Sequence, residues 1–219
     1  MDRPFPRLHV VTDTRPGRDP LNVVNAAVSV ARVRACASEL AVQVRVEDTV
    51  TDRQAYELTV ATLALCRPAG VLCLVNDRLQ VALAAGADGC HVGADDLPVA
   101  VARHVLDAFA DGVAAAAAAG SGVGIPPASG YRWRPVLGAT SREPATARAA
   151  VADGATYLGV GPAYGTTSKE GLPVPIGPAG VGAVARAVPG VPVIAIGGVT
   201  VDAVASLLAA GAHGVAVVS

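Results

Sequence analysis

Asp77 closes the run LVND, and Asp96 stands in HVGADDLP just past the next strand-like run. Two carboxylates at adjacent strand ends can share a hard cation, and Mg2+ commonly takes one or two protein carboxylates with phosphate oxygens and water. Asp96 also precedes Leu97 and Pro98, a sequence able to open a helix, so capping is the competing role. The loop GPAYGTTSKEG carries Thr166, Thr167, Ser168 and Lys169 in succession. Hydroxyls, backbone amides and one ammonium suit a phosphate, although the order of a P-loop is missing and a solvated turn is the alternative. Further on, IAIGGV and GVAVVS bring Gly198, Val218 and Ser219 to strand ends. Glycine there lets backbone amides approach a phosphate. In VQVRVED the alternation puts Gln43, Arg45 and Glu47 on one face and valines on the other. His9, His91, His104 and His213 are scattered without a paired nucleophile and read as structural.

Positioning these groups requires a frame that gathers strand ends. Val-rich runs recur at 7–13, 40–46, 71–77, 89–93, 134–140, 157–162, 191–198 and 214–219, mostly separated by Ala-rich stretches of helical spacing. Strand and helix alternating along a chain imply parallel strands with helical crossovers. Eight such units in one domain favour a closed (β/α)8 TIM barrel spanning 1–219, whose C-terminal strand ends share one face. GADGCHVG, GATYLGVG and GAHGVAVV repeat a single turn-to-strand unit, as such a barrel would. Between Asp107 and Arg134 lies an Ala- and Gly-rich insertion before strand five, readable as a loop or as a helix extension with a proline-rich return. Its GSGVG is no dinucleotide fingerprint, since Pro126 and Pro127 follow directly. No helix-like stretch follows the eighth strand.

The chain has 219 residues, 52% hydrophobic but 3% aromatic, which suits helices packed closely on a buried sheet. With 17 basic and 18 acidic residues its net charge is -1, so no overall field draws it to nucleic acid or to anionic lipid. Anion binding must be local. Cys36, Cys66, Cys73 and Cys90 lack metal or disulfide-scaffold spacing and read as buried thiols in a reducing cytosol. The N-terminal MDRPFPRLHVVTD has no apolar leader, and the expectation is a cytoplasmic enzyme without membrane association. Homo-oligomerisation is compatible with this composition.

The segments LHVVTD, VQVRVED, LVNDRLQVALAAGADGCHVGADDLP, LGAT, YLGVGPAYGTTSK, VIAIGGV and GAHGVAVVS together resemble the thiamine phosphate synthase family, over nearly the whole chain apart from the insertion. The resemblance implies a Mg2+-dependent transferase. It would join 4-amino-2-methyl-5-hydroxymethylpyrimidine pyrophosphate to a thiazole phosphate and release pyrophosphate. It implies Asp77 and Asp96 as metal ligands and Gln43, Arg45 and Asn76 as contacts to the pyrimidine pyrophosphate. Thr140 falls where the family has serine, Lys169 corresponds to a lysine on the pyrophosphate, and Thr166, Thr167 and Ser168 to a neighbouring substrate-binding segment. Gly198, Val218 and Ser219 would hold the thiazole phosphate. Arg45, Lys169 and Thr140 are then the catalytic candidates. The chain departs from the pattern at Glu47, where a lysine is expected, and at Gly165, where proline is usual. Two other readings remain at this point: a thiazole phosphate tautomerase-like paralogue, and a noncatalytic binder of phosphorylated ligands.

Overall fold

A computed structural model describes residues 4–118, 135–166 and 171–218. Eight parallel strands close into a barrel in chain order: β1 (Leu8–Val11), β2 (Leu40–Val44), β3 (Leu72–Asn76), β4 (Gly89–Val92), β5 (Val136–Ser141), β6 (Tyr157–Val160), β7 (Val193–Ala195) and β8 (Gly214–Val218). Every expected strand is present, one to three residues shorter at most ends. Closure is direct, since Leu8 lies opposite Leu40 on one side and Val215 on the other.

Among the described residues, seven α-helices surround the barrel: α1 (Pro20–Val33), α2 (Asp52–Cys66), α3 (Leu79–Ala85), α4 (Val99–Ala118), α5 (Pro144–Ala152), α6 (Gly177–Ala187) and α7 (Val201–Ala209). Their starts are written locally. Asp19 accepts from the Asn22 amide ahead of Pro20, and Thr51 with Gln54 forms a capping box at α2. α3 stops where Gly86 takes a left-handed conformation. The first part of the expected insertion is helical, because α4 continues through its alanines to Ala118. The rest of that segment lies outside the described residues. Among the described helices none is long and apolar enough to cross a membrane.

Hydrophobic packing divides into an outer layer and a plug. Outside, α1 and α2 set Val24, Val28, Leu63 and Cys66 against Val42, Val44 and Cys73. Inside, Val11, Leu74, Tyr157, Ile194 and Ala216 meet Phe5, whose ring lies 5.0 Å from that of Tyr157. Each fully buried aliphatic side chain contributes about 1.5–3 kcal/mol, so the outer layer carries most of the stability and the plug supplies a rigid floor. Cys66, Cys73 and Cys90 are buried as expected, but Cys36 is exposed, since it sits in the turn after α1 rather than on the core face.

Candidate functional site

Above the plug, the C-terminal strand ends enclose a cavity of about 560 Å3. It is lined by Gln43 and Arg45 from the end of β2, Asn76 and Asp77 from β3, His91 from β4, Thr140 from β5, Gly198 after β7 and Val218 on β8. Residues read separately from the sequence therefore converge, and the volume falls within the range of small-molecule sites. Thr166 also lines this cavity. Thr167, Ser168, Lys169 and Ser219, four of the expected contacts, lie outside the described residues.

The strand-two row has a simple explanation. Gln43 points into the barrel while Val42 and Val44 pack outward, and the same phase carries Arg45 to the rim. Thr12 locks this edge: its hydroxyl accepts from the Arg45 amide at 2.9 Å and donates to the Arg45 carbonyl at 2.7 Å. Glu47, whose amide donates to Thr14 Oγ1, folds back so that its carboxylate accepts from Arg45 Nη1 at 3.0 Å. The departure from the family pattern thus creates an ion pair at the rim. Nearby, the Arg15 guanidinium grips the buried Asp13 carboxylate and holds it below its ordinary pKa, mainly through that hydrogen bond.

The acidic pair is close in space. A methyl placed on Gly93 would lie 2.8 Å from Asp96 Oδ2 and 3.8 Å from Asp77 Oδ1, so both carboxylates crowd one small volume. Asp77 is held there in a left-handed conformation (φ 62°), with its amide donating to the His91 carbonyl at 2.8 Å. Such conformations in non-glycine residues concentrate at functional sites. Asp96 accepts from the Gly93 amide at 2.7 Å. No group of three or more His, Cys, Asp or Glu gathers among the described residues, so the protein offers a cation two carboxylates. That donor set fits Mg2+, which completes its octahedron with water and phosphate oxygens, and suits zinc poorly.

Several residues of the cavity were not read as site residues from the sequence. His91 and Tyr157 lie in the cavity floor, joined at 3.0 Å between Nδ1 and the phenol oxygen, and His91 Nε2 meets Thr140 Oγ1 at 3.0 Å. Burial pushes the His91 imidazole down to about 4, so it is neutral at pH 7. The same cause raises the Tyr157 phenol and keeps it protonated. Room for these rings comes from glycines on the next strands: a Cβ at Gly138 would collide with the Tyr157 ring, and one at Gly159 would lie 2.9 Å from His91 Cε1. His9 is buried beside them, also pushed down to about 4, and its Nε2 has no hydrogen-bond partner among the described residues. Arg142, likewise unanticipated, lines the cavity and donates to the Val174 carbonyl at 2.6 Å, fastening the segment before α6.

On the opposite side, Gly197 and Gly198 adopt positive φ (92° and 63°), and a side chain at Gly198 would strike the Gly165 carbonyl. Only glycine fits this turn, which leads through Thr200 into α7. A glycine turn opening a helix presents amides and the positive end of a helix dipole, as an anion requires.

Comparison with known proteins agrees with this geometry. The family model described as thiamine monophosphate synthase matches residues 8–117 and 132–219, leaving unmatched the centre of the Ala/Gly-rich insertion. A thiamine-phosphate synthase of Salinispora arenicola is 57% identical over 213 residues, covering 97% of this chain and 88% of the relative. One from Chloroflexus aurantiacus is 38% identical, covering 97% and 83%. Among solved structures, the thiamine phosphate pyrophosphorylase from Pyrococcus furiosus superposes with a TM-score of 0.73 at 28% identity, covering 97% of this chain and 85% of that one.

Proposed function

The chain belongs to the thiamine monophosphate synthase family, a family of transferases in thiamine biosynthesis, and from that premise we propose its substrates, its metal and the roles of its residues. The reaction joins the methylene carbon of 4-amino-2-methyl-5-hydroxymethylpyrimidine pyrophosphate to the ring nitrogen of a thiazole phosphate and releases pyrophosphate. One observation carries the reading: Arg45, Asn76, Asp77, Thr140 and Gly198, from the ends of different strands, line one cavity that also takes in the anion-suited glycine turn.

Arg45 and Lys169 bind the departing pyrophosphate, and Asn76 positions it. Asp77 and Asp96 would hold Mg2+, which when bound neutralises charge on the leaving group. Gln43 and Thr140 orient the aminopyrimidine, whose electron-rich ring supports the methylene cation formed as the carbon–oxygen bond breaks. Thr166, Thr167 and Ser168 serve as substrate-binding residues, while Gly198, Val218 and Ser219 hold the thiazole phosphate so that its nitrogen can meet that carbon. Proximity and charge stabilisation suffice for this displacement, and no protein nucleophile is needed. The neutral His91 and protonated Tyr157 accord with that requirement. A cytoplasmic location is part of the reading, supported by four unpaired cysteines.

The Arg45–Glu47 pair favours a second reading, a tautomerase-like paralogue that uses no pyrophosphate, because it occupies the guanidinium meant for one. The converging Asp77 and Asp96 carboxylates favour the synthase. The two are separated by incubating the purified protein with both substrates and Mg2+. Thiamine phosphate and pyrophosphate are expected in equal amounts, and a folded protein that forms neither overturns the synthase reading.

A further inference from the structure

Gln43, Tyr157, His91 and Thr140 form one hydrogen-bonded chain across the cavity floor, with successive separations of 3.2, 3.0 and 3.0 Å. The direction of each bond follows from counting protons. The Gln43 amide nitrogen can only donate, so the Tyr157 oxygen accepts from it. The phenol's single proton then has His91 Nδ1 as its acceptor. A neutral imidazole with Nδ1 accepting carries its one proton on Nε2, and that proton is donated to Thr140 Oγ1. The reverse direction would make the Tyr157 oxygen accept twice and leave its own proton unpaired in a buried site. An unsatisfied buried donor costs about 1–3 kcal/mol.

Thr140 is the chain's exposed end. With its oxygen accepting from His91, its hydroxyl proton is left to face the cavity. We propose that Tyr157 and His91 are positioning residues that hold the Thr140 hydroxyl as a hydrogen-bond donor, so that this point of the site selects an acceptor atom of the ligand. On the substrate proposed above, on which this step rests, the acceptor is a ring nitrogen of the pyrimidine and not its exocyclic amino group. The arrangement is built into the barrel: Gly138 and Gly159 leave room for the two rings, and a Cβ at Gly138 would meet both Tyr157 and His91.

The direction of the chain is tested first without turnover, by nitrogen NMR of the histidine side chains in the full-length protein, with His91→Gln identifying the signal. The expected result is a proton on Nε2 and none on Nδ1, with this preference lost in Tyr157→Phe. A proton on Nδ1 in the native protein reverses the chain and overturns the proposal. Kinetics then test its consequence. Tyr157→Phe and Thr140→Val should each lower kcat/KM for the pyrimidine pyrophosphate about tenfold, the effect of one hydrogen bond. KM for the thiazole phosphate should be unchanged. The double variant should be no worse than Thr140→Val, because Tyr157 acts through that hydroxyl. Multiplying losses, or a thiazole KM that moves with them, would show that Tyr157 only packs the floor and overturn the proposal. If the native protein makes no thiamine phosphate, the synthase reading fails while the NMR result still decides the direction of the chain.

Discussion

Replacing Glu47 by Gln removes a negative charge 3.0 Å from Arg45 while keeping nearly the same shape. At ~4 Å between charge centres the attraction is about 4 kcal/mol at an effective dielectric near 20 and about 1 kcal/mol in water. The side chains are 17% and 31% exposed, so the pair lies between these limits, and solvent screening brings the net coupling to roughly 1–2 kcal/mol. A pyrophosphate that uses Arg45 must displace that carboxylate or bind beside it, and Glu47 also lies in the field of Arg15. Glu47→Gln should therefore lower KM for the pyrimidine pyrophosphate about 5–30-fold, the ratio matching that energy. Glu47→Lys should lower it further. KM for the thiazole phosphate serves as the control and should stay constant. Because the Debye length shrinks from about 30 Å at 0.01 M salt to about 8 Å at 0.15 M, the advantage should narrow as salt is added. Steady-state kinetics at two ionic strengths measure both effects. An unchanged or raised KM in Glu47→Gln would refute the reasoning and make Glu47 the residue that aims the guanidinium.

Three further outcomes follow from the same site. Asp77→Asn or Asp96→Asn should weaken the apparent Mg2+ affinity at least about tenfold in a turnover titration. In Asp96→Asn the side-chain carbonyl can still accept from the Gly93 amide, so a Mg2+ dependence equal to that of the native protein removes these residues as ligands. Gly138→Ala should destabilise the fold by about 1–3 kcal/mol through overpacking against Tyr157 and His91, read as a lower denaturant midpoint, and an unaltered midpoint contradicts the packing. His9 and His91, near 4 when folded, return to about 6.5 when unfolded. The unfolded chain binds more protons between those values, so stability is complete above about pH 6.5 and falls as pH drops toward 4, by about 3 kcal/mol per histidine. Urea unfolding at pH 7.5 and pH 5 measures this, and equal stabilities at both would show that these imidazoles are not buried neutral.

The barrel was legible because its strands are short valine runs with glycine turns, a pattern that burial on both faces requires. Asp77, Thr140 and Gly198 were legible as polar or glycine residues interrupting such runs at their ends. His91 and Tyr157 were not, because a single ring inside an apolar strand looks like core until its neighbours across the sheet are known. The available signal was indirect: Gly138 in LGAT and Gly159 in YLGVG leave inward positions empty on adjacent strands, and something large must fill them. Glu47 was legible as a departure in residue type, but its turn toward Arg45 depends on the chain leaving β2 at Val44. Likewise, Arg142 fastening the Val174 carbonyl joins two loops whose meeting no local pattern encodes.

The seam between β1 and β8 has a kinetic consequence. It pairs Leu8 with Val215 and Val11 with Val218, from opposite ends of the chain, whereas every other strand pairs with its sequence neighbour. Contacts between distant segments repay their loop entropy only late, so this seam should be the slow step of folding. Until it forms, two strand edges stand open and able to pair with other chains. The cup that includes Gly198 and Val218 exists only once the seam is closed. A phosphorylated ligand held in that cup, as proposed above, would bind the closed barrel alone and pull the population toward it by mass action. Substrate supply and escape from misassembly would thereby be coupled in one molecule.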